Sequence, residues 1–333
     1  MKRLLLFSFL VLTLACQTNE KTGQGSKKMS EPNLIFAAYA ESEEQLQHIV
    51  FTAESIREYA GRFADAPLWV YMPQTLLDKG MPVLERLRRT GAEIKTSDTP
   101  EDARWFYYAG KVFAAAEAER EAAGRGAVLV WMDEDTIVLN EPSAFDLPDT
   151  VAFAYRPVMH NRSGTLHGQP VNPFWKRIYE LLKLDPEAQF AMTTPADKQQ
   201  IRAYFNAGLL VVRPEKEILR NWAKCFQTLY RDSTLAQMCR EDVVNRIFLH
   251  QTALVGAVMP AVGQEQMTEL SDDYNYPMFF KRMYGAEEEF DSVENIVTLR
   301  YDIYFQNPEP DWSEQLKGDP AKIAWMKERL GKS

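Results

Sequence analysis

Residues 128–139, VLVWMDEDTIVL, break an apolar run with Asp133, Glu134 and Asp135 and then resume it. In an extended segment alternate side chains share a face, so Asp133 and Asp135 are expected to point together and Glu134 away. Two converging carboxylates repel unless a cation or a proton lies between them. Hard oxygen ligands of this kind suit Mg²⁺ or Mn²⁺, which complete their shells with water and phosphate oxygens. The pair is therefore expected to hold a divalent ion beside a phosphorylated ligand. A solvated turn is the plain alternative for any Asp-x-Asp, but here Trp131, Met132 and Ile137 frame the acids with apolar chain. An EF-hand fails, because Val138 and Ala144 stand where that loop needs Gly and Glu.

The elements around this segment alternate. The run 33–40 reads as a strand, and 42–60 as a helix with Leu46, Ile49, Val50, Ala53, Ile56 and Ala60 on one face. A strand over 66–73 ends at Pro73, and the helical stretch 74–91 is interrupted by Pro82. Residues 92–98 form a weaker strand, and 100–123 a helix stopped by Gly124. The continuous apolar run 127–133 has the character of a central parallel strand buried on both faces. Strands at 150–157 and 205–214 follow, separated by a long connection holding one helix at 172–184. Helices over 215–230 and 241–259 precede a tail read as irregular. Strand–helix alternation implies an α/β sheet with crossovers, whose ligands gather at the carboxyl ends of the strands. The acid cluster lies at such an end.

A second group of motifs says more. WMDEDTIVLNEP and AYFNAGLLVVRP, taken with FYYAGKVFAA, HQTAL and YNYP in their order along the chain, resemble the nucleotide-diphospho-sugar glycosyltransferases of the GT-A fold, family-8-like, over residues 33–280. The resemblance implies a GT-A-like (Rossmann-like) α/β domain over 33–333, with a mixed, mainly parallel sheet flanked by helices. It implies transfer of a sugar from a nucleotide sugar, a UDP-sugar foremost, to a glycan or lipid-linked acceptor. Asp133 and Asp135 would hold Mn²⁺ or Mg²⁺ as a Lewis acid on the diphosphate. Tyr39, Lys111, Asp133, Asn206, Gly208 and Arg300 would bind the donor, and Gln251, Asp242 and Asn206 would serve catalysis. Two positions depart from the family: His250 replaces the usual acid before Gln251, and no His follows His250 to act as third metal ligand. Arg300 is expected to supply positive charge instead. Two alternatives stand beside this reading. One is an exported glycan-binding protein that kept the fold without the chemistry. The other rests on DEDTI, which resembles the nucleophile motif of haloacid-dehalogenase-type phosphatases, with Thr136 one place early.

Composition limits the partners. A hydrophobic content of 46% supports a large core, and a formal charge of −9 without a basic patch argues against nucleic acid. MKRLLLFSFLVLTLAC is too short to span a bilayer and resembles a bacterial lipoprotein signal ending at Cys16, the lipidation site. Residues 17–32 read as a flexible tether. The expectation is an exported lipoprotein held to the membrane by its lipid, with Gln17 pointing to the outer membrane. An uncleaved inner-membrane anchor facing the cytoplasm is the alternative. Cys225 and Cys239 have no zinc-site spacing; pairing in an oxidising compartment and two separate thiols both remain open.

Overall fold

The structure, a computed structural model, describes residues 33–278, 292–301 and 312–330. The signal segment, Cys16 and the tether lie outside them. The first half of the chain runs β1 (Leu34–Tyr39), α1 (Glu43–Tyr59), β2 (Leu68–Met72), α2 (Gln74–Leu77), α3 (Pro82–Arg89), β3 (Glu93–Thr96), α4 (Ala109–Ala122), β4 (Val128–Met132) and β5 (Thr136–Val138). There follow β6 (Phe153–Pro157), α5 (Pro173–Leu182), the hairpin β7 (Ala191–Thr193) and β8 (Gln200–Arg202), and β9 (Phe205–Val212). Helices α6 (Ile218–Tyr230), α7 (Ser233–Glu241) and α8 (Val243–Val258) come next, then β10 (Met267–Glu269), β11 (Tyr276–Pro277), β12 (Thr298–Arg300) and a last helix, Pro320–Leu330.

Seven strands form the main sheet in the order β10-β6-β9-β4-β1-β2-β3. Neighbours are parallel except around β9, which runs antiparallel to both β6 and β4. This is the mixed, mainly parallel sheet the sequence implies. β4 is buried throughout because helices cover both faces. Its Leu129 and Trp131 join the core packed against α4, α6 and α8, while Val128, Val130 and Met132 join the core against α1 and α3. Small residues let α4 lie close to the sheet: Ala114, Ala115, Ala118 and Ala122 are all buried.

The structure departs from the sequence reading in several places. The helix expected over 100–123 starts only at Ala109, because Tyr108 takes a left-handed conformation (φ 59°). Pro82 begins α3 rather than interrupting a helix, since its missing N–H is unneeded at that position. The short α7 escaped detection. The tail, expected to be irregular, holds β10, β11, β12 and the last helix among its described residues. Strands of two or three residues show no period, and these pair with β6 and β5 far earlier in the chain. Cys225 and Cys239 are unpaired. Burial pushes their thiols up, to about 11 and about 12 respectively. No helix among the described residues is long and apolar enough to cross a membrane.

Candidate active site

The acid cluster turns. Thr136 N donates to the Asp133 carbonyl (3.2 Å), so residues 133–136 make a β-turn instead of the extended segment expected from alternation. The reason is topological: β4 ends in the main sheet, and β5 leaves it to pair with β12 in a separate three-stranded sheet. The three carboxylates consequently meet different surroundings. Asp133 Oδ1 accepts from Lys111 Nζ at 2.7 Å. Glu134 Oε1 accepts from Gln45 Nε2 at 2.8 Å. Gln45 also caps the start of α1 by accepting from Glu41 N (2.7 Å), so one side chain ties α1 to the turn. Burial, and after it the Asp133 charge, push Glu134 up to about 7. Asp135 is buried, and its carbonyl accepts from Tyr301 N (3.1 Å). Thr52 of α1 donates to the Thr136 carbonyl (2.7 Å), fastening the turn from below.

β1 and α4 build one wall. The β1–β4 pairing runs as far as Ala37 opposite Trp131, which leaves Tyr39 at the carboxyl end of β1 beside the end of β4. The Tyr39 ring lies against Gly110, where any β-carbon would overlap it, and burial pushes its hydroxyl up to about 12. Lys111, one residue on, is buried, with its ammonium 4.9 Å above the ring of Tyr108. Tyr108 in turn packs on the imidazole of His250 (4.8 Å between centroids).

β9 and α8 build the other wall. Asp133 N donates to the Gly208 carbonyl (2.8 Å), and a β-carbon on Gly208 would come within 2.9 Å of Asp133 Oδ2. The β6–β9 ladder shifts register between Tyr155 and Pro157, and Pro157 has no N–H to give. Side chains satisfy the start of β9 instead. Ala207 N donates to Gln251 Oε1 (3.2 Å), and Gly208 N donates to Asn206 Oδ1 (2.7 Å). With both carbonyl oxygens spent on backbone, Asn206 is left with its NH₂ group to offer, and Gln251 with the N–H that does not face the Tyr204 hydroxyl.

Residues 37–261 match the family model described as the Rhodobacterales glycosyltransferase domain. The chain belongs to that family. This glycosyltransferase matches no curated protein. Among solved structures it is similar to the galactosyltransferase LgtC in complex with donor and acceptor sugar analogues, at 12% identity over 89% of this chain and 100% of that one, TM-score 0.49. It is also similar to the bifunctional glycosyltransferase WbbM, at 13% identity over 91% of this chain and 52% of that one, TM-score 0.49. Mouse xyloside xylosyltransferase 1 is 13% identical over 82% of this chain and 98% of its own, TM-score 0.43. Family membership sets the phosphatase alternative aside.

The glycosyltransferase thus gathers Tyr39, Lys111, Asp133, Asn206, Gly208 and Gln251 at one edge of its sheet. Arg300 joins them from β12: its Cα pairs with that of Thr136, and its charge reaches Tyr108 and His160. Asp242 does not join. It is exposed at the start of α8, where its carboxylate caps the helix by accepting from Val244 N (2.8 Å). It lies about 13 Å along the helix axis from Gln251. A capping Asp and a catalytic Asp look alike in sequence. Gln45 and Tyr108 were missed as parts of the site. Only the capping pattern S-x-x-Q at 42–45 hinted at the first, and the second needed its left-handed backbone.

The resemblance drawn from the sequence implies a divalent ion at this turn. The donor set expected to hold one does not fit it. Of the expected pair, Asp133 gives Oδ1 to the Lys111 ammonium and Asp135 is buried in the same turn, both charges reaching Tyr108, and among the described residues no group of three His, Cys, Asp or Glu could hold a metal ion.

His250 stands beside Gln251 but is held neutral. Burial, and secondarily the Lys111 charge, push its imidazole well below the ordinary range, while its Nδ1 pairs with the Ile247 carbonyl (2.8 Å). A base with a depressed folded pKa contributes stability that is present above its unfolded pKa of about 6.5 and is lost as pH falls. Urea unfolding from pH 8 to 5 should therefore show wild type losing stability relative to His250→Gln below about pH 6.5, by up to about 1.4 kcal/mol per unit. Parallel pH profiles for the two proteins would refute this burial of a neutral imidazole.

Proposed function

We propose that this glycosyltransferase takes its sugar from a nucleoside diphosphate donor, a UDP-sugar foremost, and passes it to a glycan or lipid-linked acceptor. The observation that carries the reading is the convergence of Lys111 and Asp133 with the amides of Asn206 and Gln251 across the β4–β9 edge. In the reaction the bond from the anomeric carbon to the β-phosphate oxygen breaks, and its electron pair leaves on that oxygen. The acceptor hydroxyl oxygen bonds to the carbon, and its proton goes to the released diphosphate. Charge grows on the leaving group, so fixed donors aimed at it contribute most. Lys111 and Arg300 suit that end of the substrate. The free amide N–H bonds of Asn206 and Gln251 suit the sugar hydroxyls, and Gly208 leaves room for the ring beside Asp133. Tyr39, at the carboxyl end of β1, lies on the side left for the nucleotide.

UDP should raise the melting temperature of the full chain. A ligand bound only by the native state stabilises by about 2.7 kcal/mol at a hundredfold excess over Kd. A protein indifferent to both UDP and GDP would instead favour the glycan-binding alternative.

The signal-like segment supports a second proposal, export and lipidation at Cys16. Fatty-acid labelling of wild type is expected, with none in Cys16→Ala. Nucleotide sugars are made in the cytoplasm, so an unlabelled protein of full precursor mass in the inner membrane would favour the cytoplasm-facing anchor.

A further inference from the structure

Resting on the donor reading above, we infer that the Lys111 ammonium occupies the place of the divalent ion at the diphosphate, and that Asp133 is the residue that positions it rather than a metal ligand. The Lys111 side chain is only 8% exposed, and Asp133 is 17% exposed. An ammonium has three N–H bonds and no acceptor. One meets Asp133 Oδ1 at 2.7 Å, and no second hydrogen bond from it is made among the described residues. Burying a lysine is costly unless its hydrogen bonds are met. Two unspent donors at the carboxyl end of β4 therefore call for an anion with several oxygens, which a diphosphate provides.

The surroundings hold the cation there. Tyr108 lies under it at 4.9 Å, in a left-handed conformation at the start of α4, and Arg300 adds a second positive charge on the same side. Lys111 takes only Oδ1 of Asp133, so a divalent ion on Oδ2 would stand beside the ammonium, and neighbouring like charges repel strongly in a desolvated site. Asp133 serves Lys111 by fixing its direction, so that its free N–H bonds face the leaving oxygen.

Calorimetric titration of the full chain with UDP, once in EDTA and once with Mn²⁺, decides the matter. UDP is expected to bind in EDTA, with Mn²⁺ changing Kd by less than about threefold. Lys111→Met should weaken binding about tenfold or more in both buffers, as loss of charged hydrogen bonds does, and Lys111→Arg should restore most of it. Circular dichroism establishes that the variants are folded; should Lys111→Met fail to fold, the buffer comparison and Lys111→Arg still decide. Binding that requires Mn²⁺ and survives Lys111→Met would overturn the inference while leaving the donor reading intact. No binding of UDP or GDP in either buffer would sink both.

Discussion

Asp133→Ala is expected to abolish turnover and to lower the melting temperature by about 10 °C. The structural cost comes from what is left behind. Removing one partner of a buried ion pair strands the other, at about 3–5 kcal/mol, and a domain of this size loses roughly 2–4 °C per kcal/mol. The Lys111–Asp133 pair is mostly shielded from water, so screening relieves little of that. Asp133→Asn, which keeps an acceptor oxygen, should cost less stability. The double variant Asp133→Ala, Lys111→Met removes the stranded charge and should recover most of the loss without recovering turnover. Thermal unfolding of wild type, Asp133→Ala, Lys111→Met and the double variant measures this; a double variant as unstable as the sum of the two singles would show that the pair is not coupled.

Gly110→Val is expected to be the most damaging change of a single residue in α4. A β-carbon there would stand 2.6 Å from Tyr39 Cε1, and the Tyr39 ring is buried between α4 and the sheet. Overpacking of this kind costs about 3 kcal/mol or more. The helix must then move off β1, taking Lys111 away from Asp133, so donor binding should fall with stability. Tyr39→Ala in the same chain makes room and should return much of the stability. If Gly110→Val melts with wild type and binds UDP equally well, the close approach of α4 to β1 is wrong.

Much of the framework was legible because burial leaves a period. The continuous apolar run of β4 and the apolar face of α1 could be read directly, and so could the place of the acid cluster at the carboxyl end of β4. The turn at Asp133 could not be read. Its cause is the pairing of β5 with β12, and Thr298–Arg300 carries no local signal of that partnership. Without it, alternation gave an extended segment over residues 133–136, where the chain turns. Asp242 misled for a similar reason: an acid before a helix is first a cap, and its distance from Gln251 appears only once α8 is built. Gln45 carried only its capping signal, because its bond to Glu134 joins residues of two elements that neither composition nor spacing links.

The most direct test is release of nucleoside diphosphate from a panel of UDP- and GDP-sugars by the full chain with glycan acceptors present. The account predicts release with at least one UDP-sugar, together with a sugar-extended acceptor, and loss of both in Asp133→Ala and Asn206→Ala. A folded wild-type protein that binds glycans yet releases no diphosphate from any donor would contradict it.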